Sequence, residues 1–221
     1  MKVIRIEDSG LWSQFVEFQE TIRTRRQGQP LRSLAPVQTV EGLPAPERAR
    51  LAKDVNEVYL WHGCSPSVVT QVALSGFPDK LRNFNQGSYG HGAYFVEDAD
   101  HADEYSTDDA EGYYRGYYAM LLCRVTLGQP QVLAGPLGLD PRTSGSPVSS
   151  PSTAADRSVG PNRPFDSTVG PVPASYGEFR EFVVQERSQI YPEYAIIYER
   201  KFRRSRTARF SFRELDGQRG R

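Results

Sequence analysis

The chain of 221 residues is poor in cysteine and histidine and has no net charge. Its two cysteines, Cys64 and Cys123, are too few for a disulfide framework, and no feature marks secretion; free thiols in a reducing compartment are expected. The three histidines and two cysteines have no close ligand spacing, so no metal is expected. Lysine plus arginine balance aspartate plus glutamate at 27 each, which leaves no global field to draw nucleic acid or a membrane surface. No apolar run approaches a membrane span, and the first seven residues lack the apolar core of a signal peptide. An intracellular location, cytoplasm or nucleus, follows as the expectation. No Gly-rich fingerprint follows the first strand pattern, which argues against a Rossmann fold for any dinucleotide.

What is present fits one ordinary domain with a core of its own. Residues 2–7 read as a strand. Leu11, Phe15, Phe18 and Ile22 recur on one helical face, with Asp8 or Ser9 as cap and Gly28 after the last turn. Residues 28–50 are Pro-rich and read as a loop ending in a short charged helix. Val58–Trp61 reads as a strand delivering His62 and Gly63. Ser65-Pro66 is an N-cap followed by proline at the first helical position, and Gly76 ends that helix. Residues 78–91 read as a loop, Gly92–Val96 as a strand, and Asp98 or Asp100 as the start of a short helix running to Tyr105. Residues 118–127 are a near-continuous apolar run, the mark of a buried strand. Phe179–Val184 and Tyr194–Tyr198 are two more strands. Residues 134–164, rich in Ser, Pro, Gly and Thr, read as a long mobile loop, and the basic stretch from Lys201 as a fraying tail. Strands dominate and helices gather in the first half, so the fold class is α+β.

Three segments carry a family resemblance. Leu60-Trp61-His62-Gly63 resembles the L-[FW]-H-G strand of the poly(ADP-ribose) polymerase family. Ser88-Tyr89-Gly90-His91-Gly92-Ala93-Tyr94-Phe95 resembles its YGKGxYFA segment. Arg180-Glu181-Phe182-Val183-Val184, followed by Gln189-Ile190-Tyr191-Pro192-Glu193-Tyr194, resembles its EFVV…QxYPEY segment. Order and spacing agree over roughly residues 3 to 200. The resemblance implies two packed, mainly antiparallel sheets around an NAD-binding cleft with peripheral helices. It also implies transfer of ADP-ribose from NAD⁺, as substrate, to a protein or nucleic-acid acceptor, with the chain itself among the candidate acceptors. The matched triad is His62, Tyr94 and Glu181. In the family, the histidine bonds the adenosine ribose and the backbone of the next glycine, here Gly63, pairs with the nicotinamide carboxamide. The triad tyrosine stacks on nicotinamide; Tyr105 matches the second tyrosine that closes the other face. Ala102 stands where the family has a serine whose hydroxyl holds the carboxamide. Residues 77–89 match the loop over NAD⁺, with Lys80 and Arg82 as candidates for the diphosphate.

These residue types suit the chemistry. Cleaving the glycosidic bond develops oxocarbenium-like charge on the ribose, which a carboxylate near the 2′-hydroxyl stabilises. Two aromatic faces orient the nicotinamide. Taken singly, His62 reads as a turn residue, Tyr94 as core and Glu181 as a solvated strand position; together, in order, they read as a site. Cys64, Glu186 and Glu193 read as structural. Glu181 implies that chain elongation is permitted. Single-unit transfer, hydrolysis of NAD⁺, and a weakly catalytic pocket that recruits partners remain alternatives. The basic tail (Arg203, Arg204, Arg206, Arg209, Arg213) reads as a solubilising end or a nucleic-acid contact.

Overall fold

A computed structural model describes residues 1–79, 81, 86–134, 164–174 and 177–201. The reading of 134–164 as a mobile loop and that of the basic tail fall almost wholly outside these residues.

The chain opens with β1 (Lys2–Arg5) and α1 (Ser9–Arg26). Asp8 caps α1 by accepting the Leu11 N–H at 2.8 Å, and Phe15, Gln19 and Ile22 form its buried face. Two one-turn helices, α2 (Gln38–Glu41) and α3 (Ala45–Arg48), punctuate the Pro-rich stretch before β2 (Glu57–Cys64). Helix α4 (Pro66–Ser75) begins as its sequence dictates, with Ser65 as cap and Pro66 in the first turn. It packs Val69 and Val72 inward and ends at Gly76, whose φ of 73° suits glycine.

A small hairpin of β3 (Gln86–Gly87) and β4 (Gly90–His91) leads into β5 (Ala93–Val96) and α5 (Ala99–Glu104). Strands β6 (Tyr118–Thr126), β7 (Pro130–Val132), β8 (Ser167–Ala174), β9 (Gly177–Val184) and β10 (Ile190–Tyr198) complete the fold.

Among the described residues, eight strands make one sheet in the order β1-β10-β6-β2-β5-β9-β8-β7, antiparallel except for the edge pair β7–β8. The fold is α+β, with few helices around a large mixed sheet. The two sheets expected from the sequence correspond to its two four-stranded halves, which touch through a single register pair, Trp61 with Val96. By contrast, β2 pairs with β6 over eight residues, Glu57 to Cys64. Both halves feed one core: Leu60, Leu121 and Cys123 from one side, Phe95, Phe182 and Val184 from the other, none more than 1% exposed. Each such large side chain contributes about 1.5–3 kcal/mol on burial.

Gln189 and Glu193 pair their buried polar groups inside this frame. Gln189, 1% exposed, donates to the Thr126 and Asp166 carbonyls and accepts from the Gln185 and Glu186 N–H groups. Glu193 accepts from the Tyr59 hydroxyl at 2.5 Å. The "QxYPEY" segment thus contributes bracing contacts through Gln189 and Glu193.

Candidate active site

The midline of the sheet is where the sequence motifs meet. Leu122, Trp61, Val96, Glu181 and Gly170 form one row across five strands. Beyond Trp61 the β2–β5 ladder stops, and the chain of β2 carries His62 and Gly63 along an open seam. Where a further backbone rung would lie, the His62 side chain spans the gap. Its Nδ1 sits 2.8 Å from the Tyr94 carbonyl oxygen. A carbonyl only accepts, so Nδ1 carries the proton and Nε2 of the neutral ring keeps its lone pair. The imidazole packs against Phe77 and Phe95, at centroid distances of 5.2 and 5.3 Å. Burial there pushes the His62 pKa below its ordinary value, against the opposing pull of the Tyr94 carbonyl, and favours that neutral form.

Tyr94 and Glu181 lie on adjacent strands, with Val96 opposite Glu181 and Val183 opposite Tyr94. Side chains alternate along a strand, so both project from the same face. The Tyr94 hydroxyl accepts from the Tyr89 N–H at 3.1 Å and donates to the Gly90 carbonyl at 2.5 Å, which pins the β3–β4 hairpin over the ring. A Cβ at Gly87 would fall 2.4 Å from the ring carbon Cζ, so only glycine lets the hairpin close this tightly. Burial, with the nearby Glu181 charge, pushes the Tyr94 phenol up to about 12. It stays protonated at neutral pH, and its hydroxyl serves to anchor.

Tyr105 follows α5, which Asp98 caps through the His101 N–H at 3.0 Å. Its hydroxyl donates to Glu181 Oε1 at 2.9 Å, while the residue remains 51% exposed. Burial of the hydroxyl and the Glu181 carboxylate push this phenol well above the usual tyrosine range. Helix α5 reaches this position because Gly63 has no side chain: a Cβ there would lie 2.0 Å from the Ala102 carbonyl oxygen. Ala102 is fully buried against that glycine, and it brings no hydroxyl to the site. Lys80 and Arg82 lie outside the described residues.

Flanking charges hold the walls. Arg180 grips Glu97 in a two-pronged ion pair, both N–O distances 2.6 Å, and also donates to the Pro36 carbonyl at 2.7 Å. This ties the residue beside Glu181 to the Pro-rich loop. Cys64 is buried, and that burial pushes its thiol up to about 12, which leaves no thiolate for nucleophilic work. The aspartates of the acidic stretch have separate local duties: Asp98 caps α5, Asp103 pairs with Arg200, and Asp109 accepts from Ser67.

Of the residues singled out in the sequence, the fold joins His62 to Tyr94 and Tyr105 to Glu181, and sets Gly63 and Ala102 against each other between them. Three further residues were given no role by the sequence. Tyr89, 3% exposed, lies over Gly170 and fixes the Tyr94 hydroxyl; Phe77 and Phe95 flank His62. Tyr89 stood inside the matched segment, so its position was visible and its task was not.

A histidine, two tyrosines and a glutamate thus gather about the midline seam of an α+β sheet. The chain belongs to the poly(ADP-ribose) polymerase catalytic domain family, whose pattern matches residues 1–200. It is 27% identical over 197 residues to mouse protein mono-ADP-ribosyltransferase PARP12, covering 89% of this chain and 21% of that protein. It is 30% identical over 146 residues to human PARP12, covering 66% of this chain and 18% of that protein, and 24% identical over 167 residues to human protein mono-ADP-ribosyltransferase PARP11, covering 69% and 44%. The chain thus spans about a fifth of the PARP12 relatives and under half of PARP11. Among the described residues, no helix is long and apolar enough to cross a membrane.

Proposed function

We propose that this chain transfers single ADP-ribose units from NAD⁺ to a protein acceptor, releasing nicotinamide, with His62, Tyr94, Tyr105 and Glu181 as its working residues. One observation carries the reading: the Glu181 carboxylate is held by the Tyr105 hydroxyl on the face of the sheet that also bears Tyr94. In this reading the nicotinamide ring lies between the two phenol rings, and the carboxylate lies beside the ribose. As the glycosidic bond lengthens, positive charge builds on the ribose and Glu181 stabilises it from a fixed position. The Nε2 lone pair of neutral His62 accepts from a ribose hydroxyl on the adenosine side.

Single-unit transfer is preferred over the elongation that Glu181 alone permits. The relatives are named as mono-ADP-ribosyltransferases. Ala102 removes the hydroxyl that would hold the carboxamide, a loss of about 1 kcal/mol. Weaker NAD⁺ binding than in a serine-bearing site follows.

Incubation with labelled NAD⁺ and a mixture of cytoplasmic and nuclear proteins tests the reading. Discrete labelled bands without a high-mass smear are expected, together with free nicotinamide. A smear would restore elongation, free ADP-ribose without labelled protein would indicate hydrolysis, and no nicotinamide release would leave only a binding pocket. In Glu181→Gln, kcat should fall about 100- to 1000-fold, with NAD⁺ binding retained.

A further inference from the structure

Against Tyr105 packs a histidine that the proposed reaction does not use. His101, on α5, is 5% exposed. Its ring is stacked on Phe179, with centroids 5.1 Å apart and planes within 7°. The same ring meets Tyr105 edge to face, at 5.4 Å and 83°. Its Nδ1 lies 3.4 Å from Glu104 Oε2, and its buried Nε2 has no hydrogen-bond partner among the described residues. A sealed, unpartnered nitrogen costs stability, and an apolar ring of similar shape would avoid that cost. The packing uses the flat ring, not its chemistry.

The contacts form a closed circuit. Phe179 and Glu181 are two residues apart on β9 and so share a face. From Phe179 the path runs through the His101 ring to the Tyr105 ring, and from the Tyr105 hydroxyl back to Glu181. Tyr105 sits at the C-terminal end of a six-residue helix and is half exposed. Within this circuit, His101 is the solid spacer that fixes the phenol at one distance from β9.

We infer that His101 is a positioning residue that sets the Tyr105 ring for nicotinamide stacking by bracing it against Phe179. This rests on the reading of Tyr105 and Glu181 as parts of the NAD⁺ site. A brace acts on where the ring stands before NAD⁺ arrives, so its loss weakens binding in ground and transition states alike.

The test is steady-state release of nicotinamide by the full chain carrying His101→Leu, His101→Phe, Phe179→Leu, the His101→Leu/Phe179→Leu pair and Tyr105→Ala. Leucine fills the space without a flat ring. KM for NAD⁺ should rise about 5- to 10-fold in His101→Leu, with kcat within about threefold of the parent. His101→Phe should keep the parental KM and unfold at a higher temperature, because the unpartnered nitrogen is gone. Phe179→Leu should match His101→Leu, and the double variant should add little to either, since both remove one brace. A parental KM in His101→Leu, a KM in His101→Phe as high as in His101→Leu, or additive effects in the pair would each overturn the brace. An unchanged KM in Tyr105→Ala would remove the nicotinamide site itself, and the brace with it. A raised KM in Tyr105→Ala beside a parental one in His101→Leu would reject the brace alone.

Discussion

The Tyr105 hydroxyl donates to Glu181 Oε1 at 2.9 Å, joining the end of α5 to the β-strand whose carboxylate faces the seam. The two parts of this tyrosine have separable tasks. Tyr105→Phe removes the hydrogen bond to a charged acceptor, worth about 1.5–3 kcal/mol, and keeps the ring. Its kcat should fall about 10-fold with KM for NAD⁺ little changed, because the loosened carboxylate matters most as charge develops. Steady-state kinetics on the purified chain checks this; a selective rise in KM would contradict it.

Protonation of His62 gives a pH dependence whose sign can be worked out. Its folded pKa is depressed by burial, so between that value and the unfolded value of about 6.5 the unfolded chain binds more protons. The stability linked to this residue is thus fully present above about pH 6.5 and is lost as pH falls towards the folded pKa. His62→Gln should lose that segment of the curve. Urea unfolding midpoints of both proteins at pH 8 and pH 5 report it: the drop on acidification should be smaller in the variant. Equal drops would show that the ring is not held neutral.

Gly63→Ala places a methyl group where the Ala102 carbonyl already stands, 2.0 Å away. Helix α5 must shift, and Tyr105 moves with it. Displacement of a positioning group by about 1 Å costs about 100-fold in rate, so kcat/KM should fall at least that far. Far-ultraviolet circular dichroism should remain that of the parent, since β2 stays paired with β6. Parental activity in a folded Gly63→Ala protein would mean that the contact is not maintained in solution.

Gln189→Leu tests the braces beneath the site. The substitution leaves two buried carbonyls and two N–H groups without the side chain that serves them. At about 1–3 kcal/mol for each group left wholly unpaired, a loss of at least 3 kcal/mol is expected. Denaturant unfolding measures it. A loss below about 1 kcal/mol would show that water replaces the amide without penalty.

Much of this architecture was legible because local chemistry and tertiary need coincide. Asp8, Ser65-Pro66 and Asp98 announce helix starts and act as caps in the fold. The apolar run of β6 buries one face fully, through Ala119, Leu121, Cys123 and Val125, and the other in part, so it reads as a strand without a partner in view. Strand β8 was hidden, since Ser167–Ala174 contains Gly170, Pro171 and Pro173 and lacks an alternating pattern. Its extended form is imposed by pairing with β9 and is not written in its own propensities. The one-rung junction at Trp61 and Val96 was equally invisible, because register between strands distant in sequence leaves no local signature. For the candidate site, the motifs pointed to His62, Tyr94 and Glu181, while the contacts of Tyr89, Phe77 and His101 with these residues and Tyr105 appeared only once the chain was folded.

Because, among the described residues, only Trp61 and Val96 pair across the midline through the backbone, the opening beyond them is kept by side chains: the His62 imidazole bridges it, and the Tyr105 phenol ties α5, seated on Gly63 of β2, to Glu181 of β9. The aperture of such a domain can be retuned one substitution at a time, with no strand rewired and neither half of the scaffold disturbed.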